Sequence, residues 1–242
     1  MIRLIRTVST IIGYAAILTP RLNKVKSSLE HYDTVAEKDI ISQIYPKQWA
    51  KKVLNTAGVK VNVYGEEDFP SGGVLFVSNH EGNFDIPVLI YAINKPFGFV
   101  SKTEVKKIPF LHKWMDILNC IYLDRTDRRS SIQMIRDGVA SLKAGHSIMI
   151  FPEGTRSKGK GMADFKAGSF KLAKSADVPI VPVAVKGTSN IMEKFDSKKI
   201  VPGTVDVTIL PAVHPEIFKE KSLQEVSEYI HELIENELKS LD

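Results

Sequence analysis

A short apolar run that ends in a polar turn constrains this chain more than any other stretch. Residues 74–78 (VLFVS) are apolar and partly β-branched, as in a buried strand, and residues 79–85 (NHEGNFD) follow at once. Asp85 and then Pro87 are typical of the first turn of a helix. The pattern predicts a strand, a turn and a helix, with His80 at the strand end and Asp85 at the helix start.

This arrangement brings an imidazole and a carboxylate within reach of each other. Asp85 would orient one ring nitrogen of His80 while the other nitrogen takes a proton, which is how a general base is built. A histidine at a strand end also serves as a capping residue of a turn. Taken alone, the pair therefore leaves a structural role open.

A second polar turn follows a second apolar run. Residues 148–150 (IMI) precede residues 151–157 (FPEGTRS), which open into a Gly-rich, basic loop. The carboxyl ends of parallel strands meet at one edge of a sheet, where α/β proteins place their ligands. We therefore predict an α/β fold with a mixed, largely parallel sheet flanked by helices, and both turns at one edge.

Four motifs in order resemble those of the glycerolipid acyltransferases, particularly the bacterial 1-acyl-sn-glycerol-3-phosphate (lysophosphatidic acid) acyltransferases. They are NHEGNFD (79–85), VSKTE (100–104) with Pro109 and IYLDR (121–125), FPEGTRS (151–157), and VPVAV (181–185). The resemblance implies the fold of that family. It also implies transfer of a fatty acyl group from an acyl thioester, acyl-CoA or acyl carrier protein, to the sn-2 hydroxyl of 1-acyl-glycerol 3-phosphate, giving phosphatidic acid.

The resemblance also implies roles for individual residues. His80 is the expected general base, with Asp85 fixing its tautomer, and the base acts directly on the substrate hydroxyl without an acyl-enzyme. The sequence indeed contains no G-x-S-x-G elbow. Arg156 matches the position that contacts the acceptor phosphate, and its forked donors suit a phosphate. Lys102 and Arg125 are expected companions, although a solvated charge or a structural ion pair remains equally open for both.

The residues beside Arg156 complete the expected substrate site. Glu153 would accept a hydrogen bond from a glycerol hydroxyl or would anchor Arg156 internally, and both readings stay open. Gly154 would let the backbone approach the substrate closely. Thr155 is included in the same substrate-binding set.

Two other site chemistries fit the sequence poorly. Residues 154–161 nearly spell a phosphate-binding P-loop, but Gly161 stands where a Ser or Thr must hold magnesium. The six histidines and the single cysteine show no metal-ligand spacing. We expect no metal, no cofactor besides the acyl donor, and no nucleic-acid partner.

The first 57 residues differ from the rest in charge. They hold nine Lys or Arg against four Asp or Glu, whereas the remainder is balanced at 24 against 24. The apolar run within residues 1–20 is shorter than the roughly 20 residues of a spanning helix, and no small-x-small cleavage site follows it. We predict a helical membrane-binding motif over residues 1–57, with a second helix ending near Asn55, and an acyltransferase domain over 58–242.

This division places the protein on the cytoplasmic face of the cell membrane, as a peripheral or monotopic protein with membrane lipids and lysophosphatidic acid as partners. An ordinary helical pair packed on the catalytic domain remains the alternative. For the activity, the alternatives are acylation of glycerol 3-phosphate or another lysophospholipid, hydrolysis of the thioester, or lipid binding without turnover.

Overall fold

Strands alternate with helices through most of the chain in a computed structural model, which describes residues 2–65, 68–108, 111–124 and 126–241. The strands are β1 (Val59–Gly65), β2 (Leu75–Ser78), β3 (Gly98–Lys102), β4 (Ile121–Leu123), β5 (Ile148–Ile150), β6 (Ile180–Lys186) and β7 (Gly203–Ile209). The helices are α1 (Ile2–Leu29), α2 (Val35–Ala57), α3 (Asp85–Ala92), α4 (Leu111–Ile117), α5 (Arg128–Lys143), α6 (Lys171–Ala176), α7 (Pro215–Phe218) and α8 (Leu223–Ser240).

The described strands form one sheet in the order β1-β7-β6-β2-β5-β3-β4. Neighbouring strands are parallel except β6 and β7, which run antiparallel. The predicted mixed, largely parallel sheet is thereby confirmed.

The strand that carries the first polar turn lies at the centre of this sheet. Val77 of β2 is in register with Ile150 of β5 on one side and with Pro182 of β6 on the other. Every residue of β2 and β5 is buried. Three parallel strands therefore end side by side, and the turns that follow them share one edge of the sheet.

Helices cover both faces of the sheet and build a core on each. One core joins α2 and α3 to side chains such as Phe76 and Met149, and the other joins α5, α6 and α8 to side chains such as Leu75 and Ile148. The closing helix α8 begins at a capping box, in which the Ser222 side chain accepts the backbone N–H of Glu225 and the Glu225 carboxylate accepts the backbone N–H of Ser222.

The first helix extends beyond the apolar run of residues 1–20. It continues through Pro20, a residue that disfavours a helix interior, to Leu29. Tertiary packing explains this extension, because the continuation is buried against α4. The side chains of this contact are Leu18, Leu22, Val25, Trp114 and Ile117.

The N-terminal helices also pack on the catalytic sheet while leaving an apolar face in contact with solvent. Ala50, Val53 and Leu54 of α2 belong to the main core. On α1, five aliphatic side chains are 42–76% exposed. They are Ile2, Ile5, Val8, Ile12 and Ile17. By length and composition, α1 is the one helix within the described ranges that is apolar and long enough to cross a membrane.

Candidate active site

The predicted histidine and aspartate meet at the carboxyl end of β2. Nδ1 of His80 lies 2.5 Å from Oδ2 of Asp85, whose side chain is fully buried. The imidazole is 18% exposed and stacks on Phe151, with the ring centroids 4.1 Å apart. Because Asp85 occupies Nδ1 and Nε2 has no hydrogen-bond partner among the described residues, Nε2 is the nitrogen that can accept a proton.

Asp85 is itself held by two further donors. The backbone N–H of Gly82 donates to Oδ2 at 3.0 Å, and the hydroxyl of Thr188 donates to Oδ1. Thr188 is fully buried and begins the turn after β6, which is the third strand ending at this edge. A carboxylate with three hydrogen bonds has little freedom to turn, so the orientation of His80 is fixed as well.

Sequence reasoning missed Thr188. Residues 187–191 invite comparison only with a nucleophile elbow, which they do not form. Its position in the sequence could have identified it. Thr188 lies three residues after the fourth motif (181–185), whose strand β6 pairs with β2.

A buried carboxylate clamps the segment that carries Thr188. Oε2 of Glu81 accepts the backbone N–H groups of Gly187 at 3.0 Å and Ser189 at 3.1 Å, and also the hydroxyl of Ser189 at 3.2 Å. Burial raises the pKa of Glu81, and the negative charge of Asp85 adds to this effect, while the hydrogen bonds to Ser189 and Gly187 oppose it. Glu81 therefore positions Thr188, which in turn positions Asp85.

The guanidinium of Arg156 is tied to the His80 turn. Its Nη1 donates to Oδ1 of Asn83 and lies 3.5 Å from Oε1 of Glu193. Oε1 of Glu193 also accepts the backbone N–H of Asn83 at 2.8 Å. The side chain of Glu193 is 1% exposed and that of Arg156 is 36% exposed, so a buried acid holds a cation at the rim of the site.

The two polar turns are further joined through their backbones. The N–H of Ser157 donates to the carbonyl of His80 at 2.8 Å, and the N–H of Lys158 donates to the carbonyl of Glu81 at 3.0 Å. The loop that carries Arg156 therefore runs alongside the turn that carries His80.

Both oxygens of Glu153 are engaged by backbone amides. Oε1 accepts the N–H of His80 at 2.6 Å and Oε2 accepts the N–H of Ala163 at 2.9 Å, and the residue is 4% exposed. Burial raises the pKa of Glu153, partly opposed by these hydrogen bonds. The guanidinium of Arg156 takes its anchors from Asn83 and Glu193.

A cavity of about 1400 Å³ opens in front of His80. Lys102, Gly154, Thr155 and Arg156 all line it, so the structure brings these predicted substrate-binding residues together. Gly154 has φ +72°, a backbone conformation that favours glycine. A Cβ there would lie 2.6 Å from Nζ of Lys166, the end of a flexible side chain that can move aside. The predicted Arg125 lies outside the described residues. Nowhere in the described ranges do three His, Cys, Asp or Glu side chains come together as a metal site.

Known proteins resemble this chain in sequence and in fold. The profile of the Acyltransferase family matches residues 60–186, which include both polar turns. The chain belongs to the Acyltransferase family. The 1-acyl-sn-glycerol-3-phosphate acyltransferase of Escherichia coli is 31% identical over 187 residues, covering 76% of this chain and 75% of that protein.

Other relatives in this Acyltransferase family match over a shorter part of their length. The chloroplastic 1-acyl-sn-glycerol-3-phosphate acyltransferase LPAT1 of Arabidopsis thaliana is 36% identical over 157 residues, which are 64% of this chain and 44% of that protein. The chain thus spans about half the length of its plant relatives. The crystal structure of the 1-acyl-sn-glycerophosphate acyltransferase PlsC from Thermotoga maritima covers 99% of this chain and 97% of that one, with a TM-score of 0.79 and 25% identity.

Proposed function

We propose that the protein transfers a fatty acyl group from an acyl thioester to the sn-2 hydroxyl of 1-acyl-glycerol 3-phosphate, giving phosphatidic acid. The observation that carries this proposal is the His80 and Asp85 pair at the mouth of a cavity lined by Lys102 and Arg156. Relatives in the same family are named for this reaction.

The reaction needs a base and a place for the leaving thiol. Nε2 of His80 removes the proton of the acceptor hydroxyl as its oxygen attacks the thioester carbonyl carbon. The new C–O bond forms, the C–S bond breaks, and the proton passes from the imidazolium to the departing sulfur. Asp85 stabilises the imidazolium between these two transfers, and Thr188 and Gly82 hold Asp85 in place.

Cations at the rim bind the acceptor phosphate. Arg156 presents its remaining guanidinium donors after Asn83 and Glu193 have fixed one end, and Lys102 lines the same cavity. We assign Arg125 to the same phosphate from the family motif alone. Binding the charged end of the acceptor would position its hydroxyl at His80.

The hydrophobic acceptor requires contact with a lipid surface. We assign this contact to residues 1–57, with the exposed apolar face of α1 lying on the cytoplasmic side of the membrane. Arg3 and Arg6 on the same helix would face anionic headgroups.

The test is a substrate screen with purified full-length protein. Radiolabelled palmitoyl-CoA and palmitoyl carrier protein are each mixed with 1-acyl-glycerol 3-phosphate, glycerol 3-phosphate or lysophosphatidylcholine. We expect labelled phosphatidic acid from the first acceptor. Labelled free fatty acid without any acceptor would instead identify a thioesterase, and product from glycerol 3-phosphate alone would change the acceptor.

A further inference from the structure

An acid that belongs to none of the four sequence motifs lies buried beside the His80 turn. Glu193 begins a short 3-10 helix, Glu193–Phe195, in the segment between β6 and β7. Its side chain is 1% exposed, and it does not line the cavity in front of His80. A residue in this position does not meet a substrate, so any part that it plays in the reaction passes through the side chains it contacts.

The contacts of Glu193 converge on one nitrogen of Arg156. Oε1 of Glu193 lies 3.5 Å from Nη1 of Arg156 and accepts the backbone N–H of Asn83 at 2.8 Å. The side chain of Asn83 accepts a hydrogen bond from the same Nη1. Among the described residues, Nε and Nη2 of Arg156 have no such partner. One corner of the guanidinium is therefore held at the turn, and the rest of it is free.

The second oxygen of Glu193 shows that this placement is unfavourable for the fold by itself. Oε2 is buried and has no hydrogen-bond partner within the described ranges. A Cβ on Gly82 would lie 2.5 Å from Oε2, so the lack of a side chain at Gly82 makes room for the carboxylate. A buried carboxylate that is only half satisfied lowers stability unless a cation lies close to it. Such a group calls for an explanation outside stability.

The charge of Glu193 also works against phosphate binding, since a carboxylate 3.5 Å from Nη1 offsets part of the positive charge of Arg156. Its benefit must therefore lie in orientation. Two parallel hydrogen bonds from a guanidinium to a phosphate require the planar fork to face the phosphate, and an unrestrained arginine side chain adopts many rotamers. With Nη1 held at the turn, the free edge is left for the cavity that Arg156 lines.

We propose that Glu193 is a positioning residue for the acceptor phosphate and acts through Asn83 and Arg156. The inference rests on the proposed function, in which Arg156 binds that phosphate. Glu193 keeps the guanidinium in the orientation that meets two phosphate oxygens, so the side chain is ordered before the acceptor arrives. A pre-organised side chain loses less conformational entropy on binding. This gain exceeds the attraction that the carboxylate offsets.

The test removes the charge of Glu193 and keeps its shape. Glu193→Gln retains an oxygen for the N–H of Asn83 but loses the ionic contact with Arg156. We expect its KM for 1-acyl-glycerol 3-phosphate to rise about tenfold, because the fork is no longer held in place, while kcat and the KM for palmitoyl-CoA change less than about twofold. Asn83→Ala removes the other anchor of Nη1 and should give the same split.

The matched control neutralises a different acid. Asp39→Asn alters a largely buried carboxylate that is paired with His146, and neither residue lines the cavity. Both KM values should stay within about twofold of the wild type, because sites that share no partner act independently. Circular dichroism shows whether each variant is folded.

A double variant separates positioning from packing. Arg156→Lys has no fork to orient, so adding Glu193→Gln to it should change the acceptor KM by less than about twofold. A loss that adds in full to that of Arg156→Lys would show that Glu193 supports the fold of the turn. An unchanged or lower acceptor KM in the single Glu193→Gln variant would show that the carboxylate does not help Arg156. Either result overturns the proposal.

Binding measured without a donor makes the test independent of turnover. Short-chain 1-hexanoyl-glycerol 3-phosphate is titrated calorimetrically into the wild type and into Glu193→Gln. A dissociation constant about tenfold larger in the variant supports the proposal, because pre-organisation is lost, and equal constants refute it. If the wild type binds this probe but forms no phosphatidic acid with either donor, the proposed function fails while the role of Glu193 stands. A wild type that does not bind the probe refutes both.

Discussion

Nδ1 of the His80 imidazole is paired with the Asp85 carboxylate, and Nε2 has no hydrogen-bond partner among the described residues. The surroundings of the ring hold it in this arrangement. Phe151 covers one ring face, and Glu153 holds the backbone N–H of His80 itself. The same type of pair recurs at the opposite edge of the sheet, where Nδ1 of His146 lies 2.8 Å from Asp39. His80 lines the large cavity, whereas His146 does not. The His80 and Asp85 pair therefore differs from the His146 and Asp39 pair in its place in the fold.

Replacing the base is the most direct test of its role. We expect His80→Ala to lose roughly a thousandfold in kcat, because a positioned general base contributes about 10²–10⁴. His146→Ala should retain turnover, which makes it the control. Initial rates and circular dichroism on both variants decide the matter, and a His80→Ala enzyme with more than about a tenth of wild-type turnover would rule His80 out as the base.

Thr188 should act through Asp85. Thr188→Val keeps the shape but removes the hydroxyl, and loss of a hydrogen bond to a charged group, about 1.5–3 kcal/mol, predicts roughly tenfold or more lower kcat with unchanged KM. Thr188→Ser restores the donor and should stay within about threefold of wild type. Steady-state kinetics over a range of pH measure this, and indistinguishable Val and Ser variants would assign Thr188 a packing role.

Glu153 should leave a signature in the pH dependence of stability. Because burial raises its pKa above the usual 4.5, the folded state binds this proton more tightly than the unfolded chain. Its contribution is full below pH 4.5 and is lost as pH rises through the raised value. The free energy of unfolding of the wild type, relative to Glu153→Gln, should therefore increase as pH is lowered from neutrality. Urea titrations at several pH values test this, and a constant difference would contradict it.

At the level of secondary-structure elements, contacts with the turn after β2 hold the loop after β5 in its shape. Arg156 reaches Asn83 and Glu193, and Ser157 bonds to the carbonyl of His80. The position of Arg156 is thereby tied to that of His80.

Loss of this cation should affect one substrate. We expect Arg156→Ala to raise the KM for 1-acyl-glycerol 3-phosphate at least tenfold while the KM for palmitoyl-CoA changes little, since the guanidinium meets only the acceptor phosphate. Arg156→Lys should rescue only part of the loss, because an ammonium lacks the forked geometry. Two-substrate kinetics distinguish the cases. Equal losses for both substrates would indicate a structural role.

The sequence predicts local structure, but it does not predict contacts between distant segments of the chain. The strand, turn and helix around His80 follow from local patterns, and so does the shared edge of the two turns. Thr188 lies 103 residues from Asp85, and Glu193 lies 110 residues from the backbone N–H of Asn83 that it accepts. No sequence periodicity records such contacts. Helix α1 continues past Pro20 for a similar reason, because packing of α1 against α4 outweighs the local preference to end a helix there.

At the scale of the whole molecule, the N-terminal helices combine two functions. Helix α2 completes the core of the sheet domain, while α1 keeps a row of isoleucines in solvent. Removing residues 1–57 would therefore disturb the core as well as the proposed membrane contact, so point variants on α1 give the cleaner test.

We expect the double variant Ile5→Asp, Ile12→Asp to remain in the supernatant when mixed with anionic vesicles, while the wild type pellets. Both side chains are 60% exposed, so the fold should tolerate the change. High salt should weaken binding of the wild type without abolishing it, because apolar burial is not screened. The control is Ile217→Asp, an isoleucine 49% exposed on α7. If the double variant still pelleted as the wild type does, the contact would lie elsewhere.

The side chain of Asn79 exchanges two hydrogen bonds with the backbone of Val185, N–H to oxygen in both directions at 2.8 Å. An amide placed in this way continues the ladder between β2 and β6 by one more peptide-like rung. His80, the proposed base, follows it directly and is thus mounted on the sheet, whereas Arg156, the proposed phosphate ligand, lies on the loop after β5. Under the proposed function, a redesigned loop could therefore accept another headgroup while His80 stays in register, provided that it keeps Glu153 and the backbone contacts of Ser157 and Lys158 with the His80 turn.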